Sequence, residues 1–236
     1  LSAEDLLGLI EISRNSKNEN ELILNEYAFK DLSDSISFEV NTPPRGRVVS
    51  TEGTRVIEFK IVGEGKELDV EKFKRDLENS LFENREGITV TVNVVGEKGD
   101  ASKYGIVSLL GEGSSYFKGS ANSRIHNIAL SAKNTDGVLV APGEIYSMNN
   151  SVGPIDAAHG FQSAYIIKGG RTVLGEGGGV CQTSTTLFRA ILNSGLPIVA
   201  RYPHAYRVGY YEQDMPVGFD AAVFQPSWDF KFKNDT

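Results

Sequence analysis

The chain has one cysteine, one tryptophan and three histidines in 236 residues. One cysteine excludes an internal disulfide framework, which suits the cytosol and equally suits extracellular proteins that avoid cysteine. His126, His159 and His204 show neither an HExxH pattern nor any short ligand spacing, so no metal is expected. No stretch approaches eighteen apolar residues, so no membrane-spanning segment is expected. Leu1 is not an initiator Met, and any signal or membrane anchor is expected upstream of it. Lys and Arg number 24 against 31 Asp and Glu, a net charge of −7. Without a basic patch, nucleic acid is not an expected partner. Phosphate and dinucleotide loops are also missing. No Lys-Ser/Thr follows Gly175-Glu-Gly-Gly-Gly-Val, and the third glycine of a GxGxxG fingerprint is absent. No cofactor is expected.

What remains is an ordinary globular composition, 40% apolar and 23% charged. Its charge is unevenly distributed. Residues 1–105 carry 14 basic and 21 acidic side chains, and residues 106–236 carry 10 of each. This asymmetry predicts two domains, 1–105 and 106–236, joined by EKGDASKYG, with an α+β fold in each. The first half has neither His nor Cys, so binding or spacing is its expected role.

In the first half, Ser2 with Asp5 reads as the cap of a helix over LSAEDLLGLIEI, and EYAFKDLSDSI as a second helix. The prolines of NTPPRGR break the pattern. RVIEFKIVG reads as a strand with Ile57, Phe59 and Ile61 on one face. LDVEKFKRDLENSLF is a helix capped by Asp69 with Phe73, Leu77 and Leu81 inward. ITVTVNVV is a strand with Ile88, Val90, Val92 and Val94 on the core face. In the second half, NSRIHNIALSAKNTDG reads as a helix with Ile125, Ile128, Ala129 and Ala132 inward. Strands follow in VLVAPGEIYSM and AYIIKGGRTVL. QTSTTLFRAILNSGLP is a helix burying Leu187, Phe188, Ile191 and Leu192, stopped by Gly195 and Pro197. ARYPHAYRVGYY and DAAVFQPSWDFKFKN read as strands.

The candidate chemistry centres on GEGGGVCQTSTTLF. Cys181 stands where the glycine run meets the helix beginning near Gln182. Unpaired N–H groups and the helix dipole at such a junction favour an anion, and a thiolate is the reactive form of cysteine. The glycines permit a sharp turn and close approach of a substrate, and the N–H groups could hold an oxyanion. Free cysteine is also among the most buried residue types, so local features leave nucleophile and packing filler both open. A thiol nucleophile needs a base. His126 lies in a helix beside the apolar stripe, and His159 precedes Gly160 in a turn-like stretch. His204 enters a strand after the cysteine helix, the chain order of papain-like and NlpC-type cysteine enzymes. Asp220 opens the next strand and is the candidate orienting residue. The alternatives are an aromatic cluster with Tyr202 and Tyr206 for His204, and a turn or cap for Asp220. Arg124, Asn127 and Glu144 are candidate substrate contacts, Arg124 as a clamp on a peptide carboxylate; surface pairing and turn hydrogen bonding are their alternatives.

The second half resembles VanW-domain proteins of bacterial cell-wall biology. The resemblance runs from about Tyr116 to Asn234 through NSRIHNIALSAKNTDGVLVAPGEIYSMNNSVGP, GFQSAYIIKGG, GEGGGVCQTSTTLFRAILNSGLPIVARYPHAYRV, GFDAAV and WDFKFKN, in that order. The first half more loosely resembles the peptidoglycan-binding-like module that precedes VanW domains and some YkuD-type L,D-transpeptidases. What the resemblance implies is an L,D-transpeptidase that uses Cys181, with Gly177, Gly178, Gly179, Gln182, Ser184 and Thr185 shaping its pocket and His204 in a Pro-His motif. It further implies third-to-third cross-linking of stem peptides through a thioester. The implied partners are peptidoglycan stem peptides and wall polymer, and the implied location is extracellular or wall-associated, with membrane attachment only through a segment outside this chain. Two positions depart from the family pattern: His126 stands where a small residue is usual, and Phe219 where Arg commonly precedes Asp220. A cysteine peptidase or carboxypeptidase using the same thiol, and a non-catalytic wall-binding protein, are the alternative readings.

Overall fold

The computed structural model describes residues 3–82, 87–95 and 105–236; the expected cap Ser2 and the linker before Gly105 lie outside them. In chain order come α1 (Ala3–Gly8), β1 (Ile10–Arg14), β2 (Asn20–Leu24), α2 (Glu26–Val40), β3 (Arg45–Glu52), β4 (Arg55–Gly63), β5 (Gly65–Leu68), α3 (Val70–Phe82) and β6 (Val92–Val95). Then follow α4 (Asn122–Thr135), β7 (Ile145–Ser147), α5 (Met148–Val152), β8 (Ser163–Lys168), β9 (Arg171–Glu176), α6 (Val180–Ser194), β10 (Ile198–Ala200) and β11 (Lys231–Lys233). The fold is mixed α+β. The described residues divide into two compact units, one within Leu1–Thr42 and Lys66–Val95, the other within Pro43–Gly65 and Gly96–Thr236. The β3–β4 hairpin therefore groups with the second unit rather than with the rest of residues 1–105. Its main chain bonds there, Gly46 N to Gly137 O at 2.7 Å and Leu139 N to Pro44 O at 3.0 Å, and Arg45 donates to the carbonyls of Lys133, Asn134 and Asp136 at the end of α4.

In the first unit, Leu9, Leu24, Phe29, Leu68, Phe73 and Leu77 form the core, with Phe29 stacked on Phe73 at 5.9 Å. Asn25 caps α2, and Asp69 accepts from Lys72 N at the start of α3. Two expectations need correction. The helix read over LSAEDLLGLIEI stops at Gly8, and Ile10–Arg14 pairs with ELIL as a hairpin whose turn is organised by Asn15. A poor helix former followed by β-branched Ile10 and Ile12 favours that outcome once a pairing partner exists. ITVTVNVV yields only the four-residue β6, paired with β5 in a two-stranded sheet. Ile88 packs on the core, while Val90 and Val94 are exposed.

The second unit is built around α6. Phe188 and Ile191 pack with Tyr146, Met148, Phe230 and Phe232 over the antiparallel sheet β10–β11–β7, while α4 lies against the other side of α6. Leu187 is half-buried and Leu192 exposed, so the buried stripe of α6 is narrower at its end than the sequence suggested. Gly195 stops the helix in the left-handed region as expected. On the β3–β4 hairpin, Ile61 is buried and Ile57 exposed, because the ribbon shifts register three times and does not present one continuous face. Helix α4 is turned from its expected orientation. Ile125 is exposed, and the inward face runs through Asn127, Ile128 and Ser131. That face meets the hydroxyl side of α6, where Ser131 Oγ and Thr183 Oγ1 lie 2.6 Å apart. Polar groups facing polar groups satisfy one another, so helix orientation follows hydrogen bonding as well as apolar spacing.

Candidate active site

Cys181 occupies the first turn of α6, one residue beyond Gly177, Gly178 and Gly179. Gly177 and Gly179 adopt φ of 77° and 118°, which disfavour any other residue. A Cβ at Gly178 would lie 2.6 Å from Tyr165 O, and one at Gly179 would lie 2.8 Å from Arg124 O. The glycines thus let the loop nest against β8 and α4. Their strongest demand comes from the protein's own packing, and the consequence is a thiol delivered at a defined place. The Sγ lies 3.5 Å from Val223 O and is half-buried.

His204 and Asp220 do not lie on regular strands. Both fall in loops, joined by one antiparallel bridge between Tyr202 and Ala222, with Ala222 N donating to Tyr202 O at 2.7 Å. In antiparallel register the residue two beyond Tyr202 faces the residue two before Ala222, which brings His204 to Asp220. His204 Nδ1 is 2.5 Å from Asp220 Oδ2, and the same oxygen accepts from His204 N at 2.9 Å. Arg201, unremarked in the sequence, donates Nη2 to Asp220 Oδ1 at 3.2 Å and Nε to its carbonyl at 2.7 Å. With Nδ1 committed to Asp220, Nε2 is the ring nitrogen left for another partner, and the Cys181 side chain interacts with His204.

Burial works against charge on His204, yet hydrogen bonding to Asp220 and Cys181 and their negative charge outweigh it, and its pKa is pushed up to about 9. For Asp220 burial acts upward, but the His204 hydrogen bonds and the charges of His204 and Arg201 hold the carboxyl below its ordinary range. A buried carboxylate thus holds a protonated imidazole beside the Cys181 sulfur. That arrangement can support nucleophilic attack at a carbonyl and proton delivery to a leaving group.

Cys181, His204, Arg124 and Gly177–Gly179 line one cavity of about 1050 Å³. Arg124 donates to Ser120 Oγ and to Gln182 Oε1, both at 2.8 Å, and stacks on Tyr210 at 4.4 Å. These partners are neutral, so its charge is available to the cavity.

Other expected pocket residues are placed elsewhere. Gln182 is buried, its side chain shared between Arg124, Ser115 and Tyr116 O. Ser184 and Thr185 are wholly buried against Ala221, Ser184 Oγ donating to its carbonyl at 2.6 Å and Thr185 Oγ1 accepting from its N–H at 3.1 Å. Asn127 is also buried, tying Gln162 N and O to Gly178 O. These four residues build the wall from behind and do not line the cavity. Glu144 accepts from Ala141 N at 2.7 Å in the turn before β7, away from the cavity. His126 lies 2.9 Å from Gly160 O, and His159 pairs locally with Asp156 at 2.8 Å.

Two neighbours of the site had no sequence signal. Arg189, only 2% exposed, donates to Ser114 O, Asp214, Tyr211 O and Phe219 O. Tyr211 packs its ring 5.2 Å from that of His204.

Among the described residues, no group of His, Cys, Asp and Glu is arranged to hold a metal, and no helix is long and apolar enough to cross a membrane. A family model described as "VanW like protein" matches residues 123–236, which include most of the cavity lining and all three of Cys181, His204 and Asp220. The chain is 46% identical over 125 residues to "Uncharacterized protein YoaR" of Bacillus subtilis (strain 168), covering 53% of this chain and 40% of that protein. It is 30% identical over 115 residues to "Vancomycin B-type resistance protein VanW" of Enterococcus faecalis (strain ATCC 700802 / V583), covering 48% and 42%. The matched region thus spans about two-fifths of each of these relatives. No solved structure matches the chain.

Proposed function

We propose that this protein is a cysteine acyltransferase of the bacterial cell wall, an L,D-transpeptidase joining stem peptides third residue to third residue. The observation that carries this reading is Cys181 and His204 together on the wall of one cavity, with Asp220 bonded to His204 Nδ1 from outside that wall. The VanW match, and the resistance named for the Enterococcus faecalis relative, direct the chemistry toward wall peptides.

His204, holding its proton up to about pH 9, starts the reaction as an imidazolium paired with the Cys181 thiolate. The sulfur attacks the carbonyl carbon of the third residue of a donor tetrapeptide, and the carbonyl electron pair moves onto oxygen. Collapse of the adduct breaks the bond to the terminal D-alanine, whose nitrogen takes the proton from His204 Nε2. A thioester and a neutral imidazole remain. The side-chain amine of a second stem attacks the thioester, gives its proton to His204, and leaves Cys181 as thiolate. Asp220 holds the ring in place throughout. Arg124 offers a cation for the donor carboxylate, and no cofactor takes part. Residues 1–105 would bind wall polymer, in keeping with an extracellular or wall-associated location.

The test is mass spectrometry of the protein after exposure to a tetrapeptide donor. The expected result is an acyl adduct on Cys181 with loss of one D-alanine, and cross-linked dimers when acceptor stems are added. Shortened monomers without dimers would make the protein a carboxypeptidase. Absence of any adduct, with Cys181→Ala indistinguishable from wild type, would sink the enzymatic reading in favour of a wall-binding role.

A further inference from the structure

The proposed acyl transfer places negative charge on a carbonyl oxygen, and the amide groups beside Cys181 are already partly committed. Gly177 N donates to Gln162 O at 3.3 Å, Val180 N to Gly177 O at 3.0 Å and Gln182 N to Gly179 O at 2.9 Å. Three amides of the glycine turn and the first turn of α6 are thus spent within the protein, and a side-chain donor can share the charge on the substrate oxygen with those that remain.

We infer that the Tyr211 hydroxyl is that donor, a catalytic group hydrogen-bonding the substrate oxygen in the tetrahedral adduct on Cys181. Tyr211 is only 5% exposed, yet it contributes to the same cavity as Cys181, Arg124 and His204. Its backbone is held from both sides, its N–H on Val208 O at 2.9 Å and its carbonyl by Arg189 Nη2 at 2.6 Å. The ring rests beside His204. Its hydroxyl interacts with the Arg124 guanidinium. A guanidinium can only donate, so Arg124 does not compete for the phenolic proton. Arg124 is itself fixed by Ser120, Gln182 and Tyr210, and its charge makes the phenol a stronger hydrogen-bond donor. Burial first, and then the nearby charge of Cys181, raise the phenol's pKa far above its ordinary range, so Tyr211 stays protonated and serves as a donor rather than a base. The electron pair that moves onto the carbonyl oxygen meets the Tyr211 O–H. When the adduct collapses the pair returns to carbon, and the phenolic proton has not moved.

This assignment rests on the acyl-transfer reading, and the experiment separates the two. Tyr211→Phe is compared with wild type in the full chain for acylation by the tetrapeptide donor and for alkylation of Cys181 by iodoacetamide across pH. Alkylation forms no oxyanion and reports the Cys181–His204 pair. The expected result is acylation slowed about 10²-fold, with the alkylation profile retained. Arg124→Met, which keeps the phenol but removes its polarising partner, should also slow acylation. Wild-type acylation in either variant overturns the inference and leaves the acyltransferase reading standing. Slowed acylation with a matching change in alkylation also overturns it, since Tyr211 would then act by packing against His204. A wild-type protein that forms no acyl adduct overturns both.

Discussion

Replacing Asp220 with Asn tests whether this carboxylate keeps His204 charged. His204 rises from 6.5 to about 9, which corresponds to about 3 kcal/mol favouring the imidazolium. Burial opposes that preference and is unaffected by the substitution, so the upward push comes from Asp220 and Cys181. An amide at position 220 removes the negative charge and gives up one acceptor oxygen, although Oδ2 alone serves both His204 N and Nδ1 while Oδ1 serves Arg201. Titration of His204 by NMR should show its pKa falling well below 9, toward the ordinary 6.5. At neutral pH the ring in the variant becomes mostly neutral, and alkylation of Cys181 should slow there. A folded-state pKa above the unfolded value gives stability that is fully present below pH 6.5 and is lost as pH rises through about 9. Urea unfolding should therefore show the largest gap between wild type and variant at acid to neutral pH, narrowing above pH 9. A variant whose His204 still titrates near 9 would refute the coupling.

Arg189 is buried and spreads its donors over three carbonyls and Asp214. Arg189→Met should cost about 3–5 kcal/mol in urea unfolding by leaving Asp214 and those carbonyls without their cation, with part of the loss recovered in Arg189→Lys; a cost below about 1 kcal/mol would contradict the picture. Gly178→Ala would place its Cβ against Tyr165 O and Ala164, neither of which is the movable end of a flexible side chain. The glycine turn must then shift, so Cys181 alkylation should slow at least about tenfold in a protein that remains folded by circular dichroism; unchanged labelling would show that the turn can yield without moving the thiol.

Much of the local architecture could be read from the residues. The glycine run, a helix start at Val180–Gln182 and a left-handed stop at Gly195 are properties of short segments, and the structure places Cys181 where those segments lead. The spacing of Phe73, Leu77 and Leu81 likewise specified α3, because its buried stripe repeats along one element. Reading failed where an element's partner decides its state. Ile10–Arg14 becomes a strand because ELIL pairs with it, and α4 turns its polar face inward because α6 offers hydroxyls there. Ser184 and Thr185 looked like pocket residues from their place in the motif, but both are turned into the interior against Ala221.

By itself the sequence determined that a lone thiol would stand at a glycine-hinged helix start, and that His204 and Asp220 were available downstream. Only tertiary structure decided that these three meet. Their proximity depends on the single bridge from Tyr202 to Ala222 and on Arg201 holding Asp220, contacts between segments separated by many residues. Local propensity carries no information about such distances, and packing and register supply it. The same physics placed Tyr211 beside His204 and Arg189 beneath it, where neither had a motif to announce it.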